Sequence, residues 1–152
     1  MEIKVEGKSK KYAELLKNSR SGRFGDLSSF LLYKYEYALF SKLDPSFALN
    51  MNNLASDSLS HLEIFGKLIT LLGGKPDYSN FIINDLFYLD SKTKLIEVNI
   101  RITKEKIILY TNNLNNINDK YIKEILRKFI IEERKNLEIL ELLQLKAKRE
   151  LL

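Results

Sequence analysis

Four stretches of this 152-residue chain carry apolar residues at helical spacing, and each is interrupted on its inward row by a residue that a core accepts only in company. In the second stretch, SDSLSHLEIFGKLITLLGG, Ser58 and His61 share a face with Leu54, Phe65, Leu68 and Leu72. His61 is the single histidine of the chain. Glu133 and Asn136 take the two inward slots between Phe129 and Leu140 in the fourth stretch, Glu105 lies between Ile102 and Leu109 in the third, and Asp26 opens the row of the first. A buried carboxylate must be paired, protonated or coordinated. Clustered on four facing helices, these groups resemble a metal cage.

Punctuation sets the helices. Gly22 and Gly25 precede a helix over residues 26–42, with Phe30, Tyr33, Tyr37 and Phe40 at its spacing, and Asp44, Pro45 and Ser46 form the turn into a second helix. That helix runs to Leu72, where Gly73, Gly74 and Pro76 end it. Residues 75–90, rich in aromatics and Ile, are too long for a tight turn and read as a crossover. A third helix is expected over 91–113, before the turn formers NNLNNIND, and a fourth from Lys120 to near the end. Short connections within each pair and a long one between the pairs describe two antiparallel helical hairpins. This is an all-α fold, the ferritin-like form of the four-helix bundle.

The residues from Ser21 onward resemble bacterial ferritin-like proteins of the bacterioferritin and manganese-catalase type. The family's helix opening E-L-x-A-x-x-x-Y corresponds to DLSSFLLY, residues 26–33; its E-x-x-H with the following LGGxPxY segment corresponds to SLSHLEIFGKLITLLGGKPDY, residues 58–78. Its third-helix Glu falls at Glu105 in TKEKII, and its D-E-E-x-H at EERKN, residues 132–136. The resemblance implies two metals, each with a histidine and a terminal carboxylate, bridged by two further glutamates. Carried over, Asp26 and His61 serve one metal, Glu105 the other, and Glu133 is one bridge. Ser58 replaces the second bridge and Asn136 the second histidine, while Asp26 is one methylene shorter than the family Glu. The implied site is therefore degenerate and holds at most about one Fe or Mn ion, since a hydroxyl and an amide are poor ligands beside a carboxylate and an imidazole. Efficient catalase or ferroxidase activity is not expected, because two-metal chemistry needs both bridges. No haem is expected, Met51 being poorly placed for it.

A second reading makes the bundle a metal-free structural or interaction module, with its carboxylates protonated or paired to a lysine or arginine reaching inward. Asn136 could equally bond Ser58 or His61 in a neutral network. Glu36 falls off the inward row and reads as surface; Asp57, Glu63 and Glu132 read as solvated charges or partners for lysines. Tyr33 is the tyrosine expected to bond an inward carboxylate. A Ser58–His61 hydrolase lacks an orienting acid and an oxyanion site.

The whole chain, 1–152, reads as one domain: a basic arm over 1–23 and the bundle over 24–150. The formal charge is +5, and seven basic residues against three acidic ones place +4 of it within residues 1–23. A solvated, partly frayed terminus with a short helix over 12–16 is the reading for this arm, and nucleic-acid binding through it is the less favoured alternative. There is no cysteine, so thiolate metal sites are excluded. No long apolar run suggests a membrane span or a leader, so a cytoplasmic homodimer or higher homo-oligomer is expected.

Overall fold

The computed structural model describes residues 2–83 and 88–150. Residues 84–87 of the expected crossover lie outside the described residues, as do positions 1, 151 and 152 of the expected domain. Among the described residues five helices follow in order: α1 (Lys10–Ser21), α2 (Asp26–Phe40), α3 (Pro45–Leu71), α4 (Lys92–Asn116) and α5 (Lys120–Glu150). The last four are the expected bundle. None of the described helices is long and apolar enough to cross a membrane.

The ends follow the side chains that satisfy free backbone groups. Ser9 caps α1 by accepting from the Tyr12 amide, Asp44 caps α3 by accepting from the Phe47 amide, and Ser91 does the same for α4 with Lys94. Asp119 Oδ1 accepts from the amides of Tyr121 and Ile122 at the start of α5. Gly73, with φ of 88°, takes the left-handed turn after α3 that the glycine pair announced.

Pairing is antiparallel throughout. Along α2 and α3, Ser29 meets Ser58, Lys34 meets Asn52, and Phe40 packs edge-on against Phe47. Lys106 meets Glu133, and Lys92 meets Glu150, along α4 and α5. The hairpins then close face to face, with Tyr33 opposite Thr103 and Asp26 opposite Tyr110.

Among the described residues the core has two large apolar halves and a small third cluster around Leu32 and Ile102. One half holds Phe40, Phe47, Met51, Leu54, Leu95 and Leu140; the other holds Phe65, Leu68, Ile122, Leu126 and Phe129. On every bundle helix the interrupting polar residues lie between or beside these halves. The second half contains no part of α2, which has 15 residues against the 27 of α3. At about 1.5 Å per residue, α3 extends roughly 18 Å past the reach of α2. The missing wall is supplied by α1, whose Ala13 and Leu16 are buried against this part of the core.

The basic arm therefore differs from the solvated terminus expected of it. Its helix spans Lys10–Ser21, and the Ser9 amide donates to the Leu72 carbonyl at 3.0 Å. Ahead of the helix, the Glu6 amide donates to Asp119, and Glu6 Oε1 accepts from the Lys120 amide. Composition pointed to a tail because lysines dominate it; the few apolar residues it has are spaced to cover the end of α3.

Leu16 is fully buried, and Leu16→Ala is expected to cost about 2–5 kcal/mol in urea unfolding, the usual penalty for truncating a core leucine. A value near zero would mean that α1 is not part of the cooperative core.

Candidate functional site

Between the apolar halves, the row of buried residues on α4 runs Asn99, Thr103, Lys106, Tyr110 and Asn113, stepping by four, three, four and three. It passes through Lys106, not Glu105. Lys106 is fully buried, whereas Glu105 is half-buried at the flank of the row and does not join the other expected site residues. The expectation follows the neighbouring row, Ile102 to Leu109, which is equally helical in period. The run of polar residues at core spacing on α4 was the signal that could have found it.

Asp26, His61 and Glu133 do come together, each offering one ligand atom within 4.8 Å of the others. The Lys106 ammonium lies among them, with Nζ 3.1 Å from Asp26 Oδ1 and 2.7 Å from Glu133 Oε1. It also donates to Ser29 Oγ at 3.1 Å and to Ser58 Oγ at 3.4 Å, and those two hydroxyls are 3.0 Å apart. Ser58, expected in place of a bridging ligand, thus solvates a cation of the protein's own. Asn136 is buried one turn beyond Glu133, and it bonds neither Ser58 nor His61.

His61 is stacked on Phe129 with ring centroids 3.8 Å apart. Its Nε2 donates to Glu132 Oε2 at 2.6 Å, and its Nδ1 faces the Tyr110 hydroxyl at 3.3 Å, Glu133 Oε1 at 3.4 Å and Asp26 Oδ1 at 3.5 Å. Tyr110 in turn donates to Asp26 Oδ2 at 2.6 Å. Two expectations change here. Glu132, read as turned away, reaches back from the bundle surface to hold the outer nitrogen of His61. The tyrosine bonded to the inward carboxylate is Tyr110, while Tyr33 faces Thr103 Oγ1 at 3.4 Å.

The charges are set by proximity overriding burial. Burial alone would raise Asp26 and Glu133, but Lys106, with His61, holds both below the usual carboxylate range. Burial would likewise lower His61, yet Asp26, Glu132 and Glu133 push it up to about 10. Lys106 is raised above its ordinary value because its two carboxylates outweigh its desolvation. At neutral pH the two cations, Lys106 and His61, are therefore set against the buried carboxylates Asp26 and Glu133 and against Glu132 at the edge of the cluster.

A two-metal centre does not fit these residues. The α4 residue that faces the cluster supplies an ammonium and not the expected Glu105 carboxylate, the one imidazole holds both of its protons, and both inward carboxylates are engaged with Lys106. An added divalent ion would face fixed positive charge within a few ångströms.

Glu36 departs most from its reading as a surface residue. It is completely buried; Asn99 Nδ2 donates to its Oε1 at 2.6 Å, and its Oε2 has no partner among the described residues. Burial, only partly offset by Asn99, raises it to about 8.

Two measurements check this account. Lys106→Met leaves two buried carboxylates without their main counter-charge, and it is expected to cost about 3–5 kcal/mol in denaturant unfolding. Folded Glu36 keeps its proton up to about pH 8, whereas the unfolded chain releases it near 4.5, so this group withdraws stability as pH rises through that window. The stability of the parent relative to Glu36→Gln should therefore fall from pH 5 to pH 8, by up to about 1.4 kcal/mol per pH unit, and a constant difference would contradict the assignment.

No protein-family model matches the sequence, and no curated protein matches it. Solved structures do. A bacterioferritin of Rhodobacter capsulatus, in a form with a metal-free dinuclear site, superposes with a TM-score of 0.82 at 17% identity, over 93% of this chain and 88% of that one. The manganese catalase KatB of Anabaena gives 0.87 at 18% identity over 99% and 77%, and a bacterioferritin of Desulfovibrio desulfuricans gives 0.80 at 21% over 91% and 81%. The polar layer, the paired hairpins and these likenesses agree that the chain has the ferritin-like fold, the four-helix bundle of bacterioferritin and manganese catalase.

Proposed function

We propose that this protein is a ferritin-like bundle that works without a metal, its di-metal centre replaced by an internal cation, and that it serves as a structural or interaction module. One observation carries this reading: the Lys106 ammonium lies within 3.1 Å of both Asp26 and Glu133, the carboxylates a metal would need. An oxidoreductase of the manganese-catalase or ferroxidase kind would need exchangeable metal positions there. Lys106 supplies fixed charge and no redox chemistry.

The surface is consistent with association into a homo-oligomer. Ile131, Leu142 and Leu145 are exposed along one side of α5. The basic arm offers less to nucleic acid than its composition suggests, since Lys17 is paired with Asp77 and Arg20 is buried.

A second reading rests on the convergence of Asp26, His61 and Glu133 and on Glu133 Oε2, which has no partner among the described residues. Here one Fe or Mn ion is held by the triad, with Lys106 displaced. Metal content separates the two. Protein purified without chelators and dialysed should retain well under about 0.1 Fe or Mn per chain; a retained stoichiometric ion would support the second reading, because one chain then has one tight site.

Restoration of the cage tests the role of Lys106 directly. Ser58→Glu with Asn136→His should still fail to bind two ions while Lys106 is present. Adding Lys106→Glu should allow two, with a rise in melting temperature that depends on supplied metal. Two ions bound with Lys106 intact would refute the internal-cation reading.

A further inference from the structure

On the outer side of α3, away from the ion cluster, a cleft of about 630 Å³ is lined by Ile3, Leu71, Pro76 and Thr70, with Gly66 and Arg20 also in its wall. Its size falls in the range of small-molecule sites. Arg20 is only 6% exposed, and its guanidinium is held entirely by neutral groups. Nε donates to the Leu62 carbonyl at 3.1 Å, Nη1 to the carbonyls of Pro76 at 2.8 Å and Asp77 at 3.4 Å, and Nη2 to the Tyr78 hydroxyl at 2.8 Å. Tyr78 also covers one face, its ring centroid 4.3 Å from Cζ. No carboxylate among the described residues pairs with Arg20.

A guanidinium has five N–H donors, and four acceptors meet this one, so an Nη2 hydrogen is left over. Gly66 lets Nη2 lie close against α3, where a Cβ would stand 3.1 Å away. The result is a nearly buried positive charge, compensated by dipoles alone, in the wall of an apolar cleft. Burying a charge in this manner is costly, and a carboxylate arriving from the cleft would supply both the missing acceptor and the missing counter-charge. Lys67 stands at the rim and adds a second cation. Glu63, also at the rim, lies one helical turn before Lys67, which offsets it.

We infer that this cleft is a binding site for a small apolar monocarboxylate, its head group on Arg20 and its hydrocarbon body against Ile3, Leu71 and Pro76. Nothing in this inference depends on whether the bundle holds a metal.

Decanoate, with decanol as its uncharged counterpart, tests the inference on the full-length chain by amide chemical-shift titration. Decanoate should shift Gly66, Lys67, Thr70 and Leu71 saturably and bind at least about tenfold more tightly than decanol, the increment expected of a charged hydrogen bond. Arg20→Met should remove that preference. Because Arg20 also ties α1 to the segment after α3, Leu71→Asp provides a variant on an exposed wall residue, and it should weaken decanoate about tenfold or more with the melting temperature unchanged. Glu63→Gln should strengthen binding. Equal affinity for decanoate and decanol, shifts that map elsewhere, or no effect of Leu71→Asp would each overturn the proposal.

Discussion

The ion pairs that Lys106 makes with Asp26 and Glu133 join three of the four bundle helices at their common axis, and the rest of the layer is arranged around them. Each carboxylate alone would be driven toward its neutral form by burial. With the ammonium between them they remain charged, and their charge in turn keeps His61 protonated. Tyr110 and Glu132 then orient the ring from opposite sides, and the hydroxyls of Ser29 and Ser58 complete the solvation of the lysine. Removal of any one member changes the proton balance of the others, so the layer is best regarded as one titrating unit.

Such a layer has a structural cost and a structural use. Replacement of buried ion pairs by apolar side chains is often neutral or stabilising, so stability alone does not explain it. Directional contacts do fix register. A one-residue slip of α4 would bring Glu105 toward Asp26 and Glu133 in place of Lys106, setting like charges together. The two apolar halves, made of Leu, Ile and Phe, would resist that slip far less.

Much of the fold was legible because it rests on punctuation and period. The Gly73, Gly74 and Pro76 ending, the Asp44–Pro45 turn and the apolar rows of α3 and α5 all lie where local chemistry demands. The site was legible only on helices whose polar residues interrupt an otherwise apolar row, as Asp26, His61 and Glu133 do. On α4 two adjacent rows compete, one carrying Glu105 and the other Lys106, and period alone does not choose between residues one position apart. Burial of Lys106 and Glu36 is decided by partners on other helices, Glu133 and Asp26 for the first and Asn99 for the second. No single-helix pattern contains that information. The role of α1 was hidden for a related reason, since it is recruited by a shortfall in the length of α2 and not by any strong apolar signal of its own.

The tethered nature of the central cation has a consequence for how the chain comes to be folded. A metal-centred bundle reaches its final stability through mass action, so its folded fraction follows the free concentration of an ion that must be delivered and retained. Here the counter-charge arrives with the polypeptide, at a local concentration fixed by the 25-residue helix that carries it. It cannot be chelated away, exchanged for a competing ion or left out during synthesis. On the metal-free reading proposed above, the interior of this bundle is complete as soon as the helices close, whatever the metal supply around it.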